Sequence, residues 1–84
     1  MSKNYAFVAT YSFDDDTAVY LFEREEDAVA MLRKTFEDEC RSDAENGFVN
    51  ETYIREDGWY ASIKNYRRDG SEDLTEYRVG HVYG

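Results

Sequence analysis

The chain has 84 residues, of which 19 are acidic and 10 basic, so its formal net charge is −9. A surface this negative repels nucleic-acid phosphates and anionic membranes, and it attracts basic proteins. Direct nucleic-acid binding and membrane association are therefore excluded, and a basic protein is the expected partner. The length supports one hydrophobic core, so we expect a single domain, 1–84.

The composition indicates a folded protein. Hydrophobic residues make up 42% of the chain and aromatic residues 17%, which is more apolar surface than a disordered acidic chain carries. Cys40 is the only cysteine, which favours a reducing compartment. We recognise no secretion signal at the N-terminus and no run approaching the ~20 apolar residues of a membrane span, so we predict a cytoplasmic protein.

The first two predicted elements form a β-hairpin. Tyr5 to Tyr11 is rich in aromatic and β-branched residues, which predicts a strand, and Thr17 to Phe22 is a second β-prone run. Asp14 to Asp16 lies between them and supplies residues typical of turns.

A helix is predicted from Arg24 to Glu45. Ala28, Leu32, Phe36 and Cys40 recur every four residues and form an apolar stripe. Three acidic residues fall in the first turn, where the helix dipole favours negative charge, and an Asn-Gly pair follows the helix as a C-terminal cap.

Three further strands are predicted after the helix, over Phe48 to Arg55, Trp59 to Arg68 and Leu74 to Tyr83, with Asp-Gly turns between them. The order ββαβββ indicates an α+β fold: a single domain in which one helix is packed across one face of a mostly antiparallel five-stranded sheet.

One face of that sheet is left uncovered, and tyrosines are expected on it. Alternation places Trp59, Ala61 and Ile63 on one side as core candidates, and Tyr60 and Tyr66 on the other. In the last strand Tyr77 and Tyr83 share a side, and we expect their rings to gather on the uncovered face. These four tyrosines are candidates for a partner or homodimer interface. The alternative is that they are ordinary half-buried sheet residues, and a one-residue slip would exchange the two faces.

The acidic residues are the second candidate binding surface. Pairs at i,i+4 spacing, Arg33 with Glu37, Lys34 with Asp38 and Glu37 with Arg41, neutralise part of the helix charge. The candidate partner-binding acids are Asp14, Asp15, Asp16, Glu23, Glu25, Glu26, Asp27, Glu39, Asp43 and Glu45. The alternative is a solvated surface that keeps the chain dissolved, but the net charge exceeds the magnitude of ~2–8 that serves this purpose in a small domain. Carboxylates spaced along a helix and hairpin can stand in for phosphates and dock in a basic groove.

No catalytic, cofactor or metal site is predicted, and we expect a non-enzymatic protein. His81 is the only histidine, and Cys40 lies on the apolar stripe of the helix. We find no phosphate-binding glycine loop, and Asp14 to Asp16 lacks the alternate spacing of a calcium loop.

Small size, strong acidity, the hairpin Tyr5 to Phe22 and the acidic helix Arg24 to Glu45 together resemble the small phage-encoded inhibitors of bacterial defence, the anti-CRISPR proteins above all. The resemblance implies an inhibitor that occupies the nucleic-acid site of its target. The first alternative is a homo-oligomeric structural or adaptor domain that uses the Tyr-rich sheet face, with the acidity serving only solubility. A module that binds a small ligand or a metal ranks third.

Overall fold

A computed structural model describes residues 3–12 and 16–82 of the chain. The elements are β1 (Tyr5–Tyr11), β2 (Asp16–Phe22), α1 (Glu25–Glu45), β3 (Val49–Ile54), β4 (Tyr60–Tyr66) and β5 (Glu72–His81). The predicted order ββαβββ and the α+β class are confirmed. Arg24 is the extended residue that precedes the helix, and the last strand begins two residues earlier than predicted.

The five strands form one sheet in the order β2-β1-β5-β4-β3. Every pairing is antiparallel, so β2 and β3 are the two edges and β5 is the central strand. The first and last strands of the chain are neighbours, with Phe7 opposite Val79. This pairing joins the hairpin β1–β2 to the strands β3–β5 in one open sheet, because all other neighbouring strands are consecutive in sequence.

The core lies between the sheet and the helix. Ala28 and Leu32 of α1 are fully buried against side chains that alternate along β1, β4 and β5: Phe7, Ala9, Ala61, Ile63, Tyr77 and Val79. Trp59 packs against this cluster, so the predicted placement of Trp59, Ala61 and Ile63 on the helix side is confirmed. The same alternation turns Tyr60 and Tyr66 to the face without the helix, as predicted.

Tyr77 is a correction to the prediction, because it belongs to the core. Its side chain is 0% exposed, and its ring lies 6.0 Å from that of Phe7 and 6.4 Å from that of Tyr11. The register explains the placement: Tyr77 is directly opposite Ala61, so both side chains point toward the helix. The predicted face of Tyr77 was wrong because the alternation of the last strand was considered without its neighbouring strands. Tyr83 lies outside the described residues.

Contacts at the turn between β3 and β4 fasten the sheet to the helix. Gly58 is buried at φ +75, and a Cβ built there would meet Val29 Cγ1 at 2.7 Å, so only glycine fits. Arg33 donates to the Glu56 carbonyl at 3.1 Å, and Trp59 Nε1 donates to Glu25 at 2.9 Å. Both ends of this turn are thereby bonded to α1.

The predicted charge pairs on the helix are only partly present. Lys34 and Asp38 form the expected contact at 3.1 Å. Arg41 pairs with Asp38 at 3.3 Å in place of Glu37, and Arg33 is directed to the Glu56 carbonyl. Asp38 therefore serves two cations, because it lies three residues before Arg41 and four after Lys34 on one side of the helix.

Candidate protein-binding surfaces

The acidic residues predicted as partner contacts lie at two ends of the molecule. The helix-start acids, where β2 ends and α1 begins, are Glu23, Glu25, Glu26 and Asp27. The helix-end acids, where β2 begins and α1 ends, are Asp16, Glu39, Asp43 and Glu45. At 1.5 Å per residue the ends of α1 are about 30 Å apart. Asp14 and Asp15 lie outside the described residues.

Most basic side chains are already paired with acids outside these two groups. Among the described residues, seven ion pairs within 4.0 Å use seven basic side chains, of Arg24, Lys34, Arg41, Arg55, Lys64, Arg67 and Arg78. Within the two groups only Glu26 takes part, with Arg24 at 3.9 Å. The internal pairing thus leaves the helix-start and helix-end acids largely without a counter-charge.

Two of the predicted contact acids at the helix end are partly or wholly buried, which corrects the prediction. Asp43 is only 5% exposed and accepts a hydrogen bond from Asn50 at 3.2 Å. Glu39 is half-buried, and desolvation together with the neighbouring Asp43 raises the pKa of its carboxyl. Glu25 accepts a hydrogen bond from the Trp59 indole and remains exposed. Asp43 lies seven residues after Phe36 and three after Cys40, on the side of the helix that carries the apolar stripe, and Asn50 of β3 covers it.

A cavity of about 420 Å³ lies beside the helix-end acids. Tyr11, Glu39, Asp43, Asn65 and Arg67 are among its lining residues. Asn65 Oδ1 is buried without a hydrogen-bond partner in the described part of the chain. No group of three metal-ligating side chains occurs among residues 3–12 and 16–82. The cavity lining includes carboxylate and amide oxygens, aromatic rings and the Arg67 guanidinium.

The uncovered sheet face divides into two halves, and the half toward β3 is polar. Tyr60 donates to Glu76 at 2.8 Å, and Arg78 both pairs with Glu76 at 2.7 Å and lies 5.4 Å from the Tyr60 ring centre. A hydrogen bond to Glu51 raises the pKa of Tyr66. This network satisfies the tyrosine hydroxyls internally, as expected for a hydrated sheet surface.

The other half of that face is apolar, and sequence reasoning missed it. Ala6 and Val8 of β1 stand opposite Leu21 and Val19 of β2, and all four side chains point away from the helix. Val19 is 56% exposed and Leu21 49%. The available signal was the alternation within Tyr5 to Tyr11 and Thr17 to Phe22, which puts alanine, valine, leucine and threonine side chains on the second side of the two strands. We call these four residues the apolar half-face.

Cys40 and His81 are far apart in the structure. His81 contacts the rings of Tyr5 and Trp59, each at a centroid distance of 5.2 Å, near the start of the helix. Cys40 lies fifteen residues after Glu25, about 22 Å along the helix axis. Burial and the nearby carboxylates of Asp43, Glu39 and Glu37 raise the pKa of its thiol, which disfavours the nucleophilic thiolate.

Comparisons with known proteins find no match, whether with protein-family models, with curated proteins or with solved structures. In the described part of the chain, no helix has the length and apolarity that crossing a membrane requires. The inference of function therefore rests on the surfaces described above.

Proposed function

We propose that the protein is a non-enzymatic, cytoplasmic binding domain that engages a basic protein through the exposed residues among its helix-start and helix-end acids. The proposed partner is a nucleic-acid-binding protein, and the proposed outcome is inhibition, as in the anti-CRISPR proteins. The observation that carries the proposal is the ion-pair pattern: among the described residues, six basic side chains are paired with acids elsewhere, while within these two groups only Glu26 pairs with a cation.

The spacing of the charge favours docking at two points over imitation of a continuous phosphate chain. A net charge of −9 over the 47 Å length of the molecule is one charge per about 5 Å. Duplex DNA carries one charge per ~1.7 Å, roughly three times that density. The acids therefore act best as two concentrated patches, one at each end of β2.

The test is capture from a bacterial lysate on immobilised protein, followed by elution with short duplex DNA or with salt. Exposed charges are screened beyond ~10 Å at 0.1 M ionic strength, so we expect basic proteins to elute at moderate salt and to be displaced by DNA. Capture that neither salt nor DNA reverses would contradict the proposal.

A charge-reversal pair of variants makes the test specific. The variant with Asp14, Asp15 and Asp16 replaced by lysine reverses the charge of Asp16, the first residue of β2, and of the two acids before it in sequence, and we expect it to lose most of the captured protein. The matched control replaces Glu37, Glu56 and Glu72 by lysine, which changes the net charge equally but leaves both acidic groups intact. Equal losses in the two variants would show that only total charge matters.

The homo-oligomeric alternative has weaker support in its original form. The predicted interface residues Tyr60 and Tyr66 bond to Glu76 and Glu51 of the same chain, and Tyr77 is buried. A homodimer through the tyrosines would have to break this network. Light scattering at high protein concentration measures the mass, and a stable dimer would favour the alternative.

A further inference from the structure

The exposed edge of the sheet at β2 presents backbone groups with a defined direction. Ser12 N donates to Leu74 O and Val82 N donates to Asn4 O, each at 2.9 Å, so the even-numbered residues of β1 bond to β5. The odd-numbered residues of β1 therefore bond to β2, at pairs such as Phe7 with Tyr20. By the same alternation, the N–H and C=O groups of Thr17, Val19 and Leu21 point away from the sheet.

A local hydrogen bond at the start of β2 agrees with this direction. The Thr17 N–H is capped by the Asp16 carboxylate at 2.9 Å rather than by β1. Val19 and Leu21 then offer outward backbone groups, and their exposed side chains belong to the apolar half-face. No charged residue stands between Asp16 and Glu23, and the chain has no proline, so β2 lacks features that normally block pairing at an edge.

We propose that the basic partner adds a β-strand to the edge of β2, an inference that rests on the proposed function and specifies how the partner binds. The partner segment is extended, apolar at its centre and basic at both ends. Its backbone pairs with Val19 and Leu21, as in other recognition by strand addition. Its basic ends meet Asp16 and Glu23, which are about 24 Å apart along the strand.

Charge complementarity favours this segment over a second copy of the chain. In a symmetric antiparallel pairing centred on Val19, Asp16 of one copy lies opposite Phe22 of the other, with Glu23 next to it. Acidic groups would then face each other at both ends, in molecules that each carry a net charge of −9. Like charges directly opposite one another destabilise a strand pair. In a segment with basic ends, the charges next to Asp16 and Glu23 are positive, so the electrostatic interaction at both ends is attractive.

The test uses a disulfide-cyclised hairpin peptide with one outer strand of sequence Lys-Lys-Thr-Val-Thr-Val-Thr-Lys-Lys, because a preformed strand lowers the ordering cost of binding. Fluorescence titration is expected to give saturable binding with a dissociation constant below about 1 mM. The control peptide has glutamate at the four lysine positions and is expected not to bind. Absence of saturation by the lysine peptide would overturn the proposal.

Two proline variants locate the binding edge. Val19→Pro removes an outward donor of β2 and is expected to weaken peptide binding at least tenfold. Thr52→Pro is the matched control: Arg55 N donates to Tyr60 O at 2.8 Å, so the Thr52 amide of β3 also points outward by alternation. Thr52→Pro should leave peptide affinity unchanged. Equal effects of the two substitutions would contradict recognition at β2.

Peptide N-methylation tests backbone pairing without changing the protein. Methylation of the outer-strand amides that do not bond within the hairpin should abolish binding, because those amides face β2. Unchanged affinity of the methylated peptide would exclude strand addition. A dimer of the unliganded protein that Val19→Pro dissociates would also overturn the proposal, since the edge would then be filled by a second copy.

Capture by the wild type and by Val19→Pro distinguishes failure of the proposed function from failure of strand addition at β2. If no basic protein is captured by the wild type, the proposed function fails whatever the peptide does. If the captured proteins bind Val19→Pro as well as the wild type, the proposed function stands and strand addition fails.

Discussion

The two edge strands, β2 and β3, are similar in length, yet they differ in how they are protected. β3 carries Glu51 at mid-strand, where it bonds to Tyr66, and Asn50 bonds to Asp43 of the helix at 3.2 Å. β2 has no charged residue between its ends, and Val19, Tyr20 and Leu21 are all about half exposed. Two strands at the edges of one sheet can therefore differ in how readily they pair with another chain. A charged residue at mid-strand and a hydrogen bond to the helix protect β3 from such pairing.

The contacts that hold the two edge strands in place also differ. β3 is held at one end by Asn50 and at the other by the turn containing Gly58, which is buried under Val29. β2 is held by its ladder with β1, by Ala18 and Phe22, which pack against the core, and by the stacking of Tyr20 on Phe7 at 6.0 Å. A strand added at the outward edge of β2 would extend the sheet and would not displace any contact of the helix.

The largest expected effect comes from proline substitutions at adjacent positions of β2. The Tyr20 N–H faces β1, so Tyr20→Pro should remove a ladder bond and destabilise the fold by about 2 kcal/mol or more. Val19→Pro should cost much less, because that amide points outward. Urea denaturation measures both, and Tyr20→Ala separates loss of the ring from loss of the donor. A greater loss from Val19→Pro would reverse the assigned direction of the edge.

A smaller effect is expected from the glycine that fastens the β3 side. Gly58→Ala places a Cβ 2.7 Å from Val29 Cγ1 at a positive φ, and we expect a loss of ~1–3 kcal/mol beyond that of the control. The control is Gly70→Ala, which has φ +89 but nothing within 4 Å of the added Cβ. Thermal unfolding compares them. Equal midpoints would mean that the turn does not fasten β3 to the helix.

The smallest effect is a pH dependence on the β3 side. The pKa of Glu39 in the folded chain is raised by desolvation and by Asp43, so the native state binds more protons than the unfolded chain in the window just above 4.5. Glu39 therefore makes stability fall as the pH rises through that window. Glu39→Gln should raise the unfolding midpoint near neutral pH and remove this fall in stability from the window just above pH 4.5. Glu37→Gln, at an exposed position of the same helix, is the control for the removal of one carboxylate, and unfolding midpoints measured across pH compare the two variants.

The strands, the helix and the helix-facing side of β4 could be predicted because each depends on local periodicity. A repeat of four residues marks the buried stripe through Ala28 and Leu32, and alternation marks Ala61 and Ile63. The excess of acid over base is likewise a property of the sequence alone. The structure confirms these periodic patterns because burial stabilises the fold when apolar side chains recur on one face of a helix or strand.

The tertiary structure alone decided which strands are edges, which face Tyr77 occupies and which acids stay exposed. Pairing of β1 with β5 joins the two ends of the chain and leaves β2 at the edge, which no local pattern reveals. Tyr77 is buried because its register partner Ala61 is buried, and Asp43 because Asn50 reaches it from β3. Each of these outcomes depends on contacts between segments distant in sequence, whereas alternation and helical period report only on the segment that carries them.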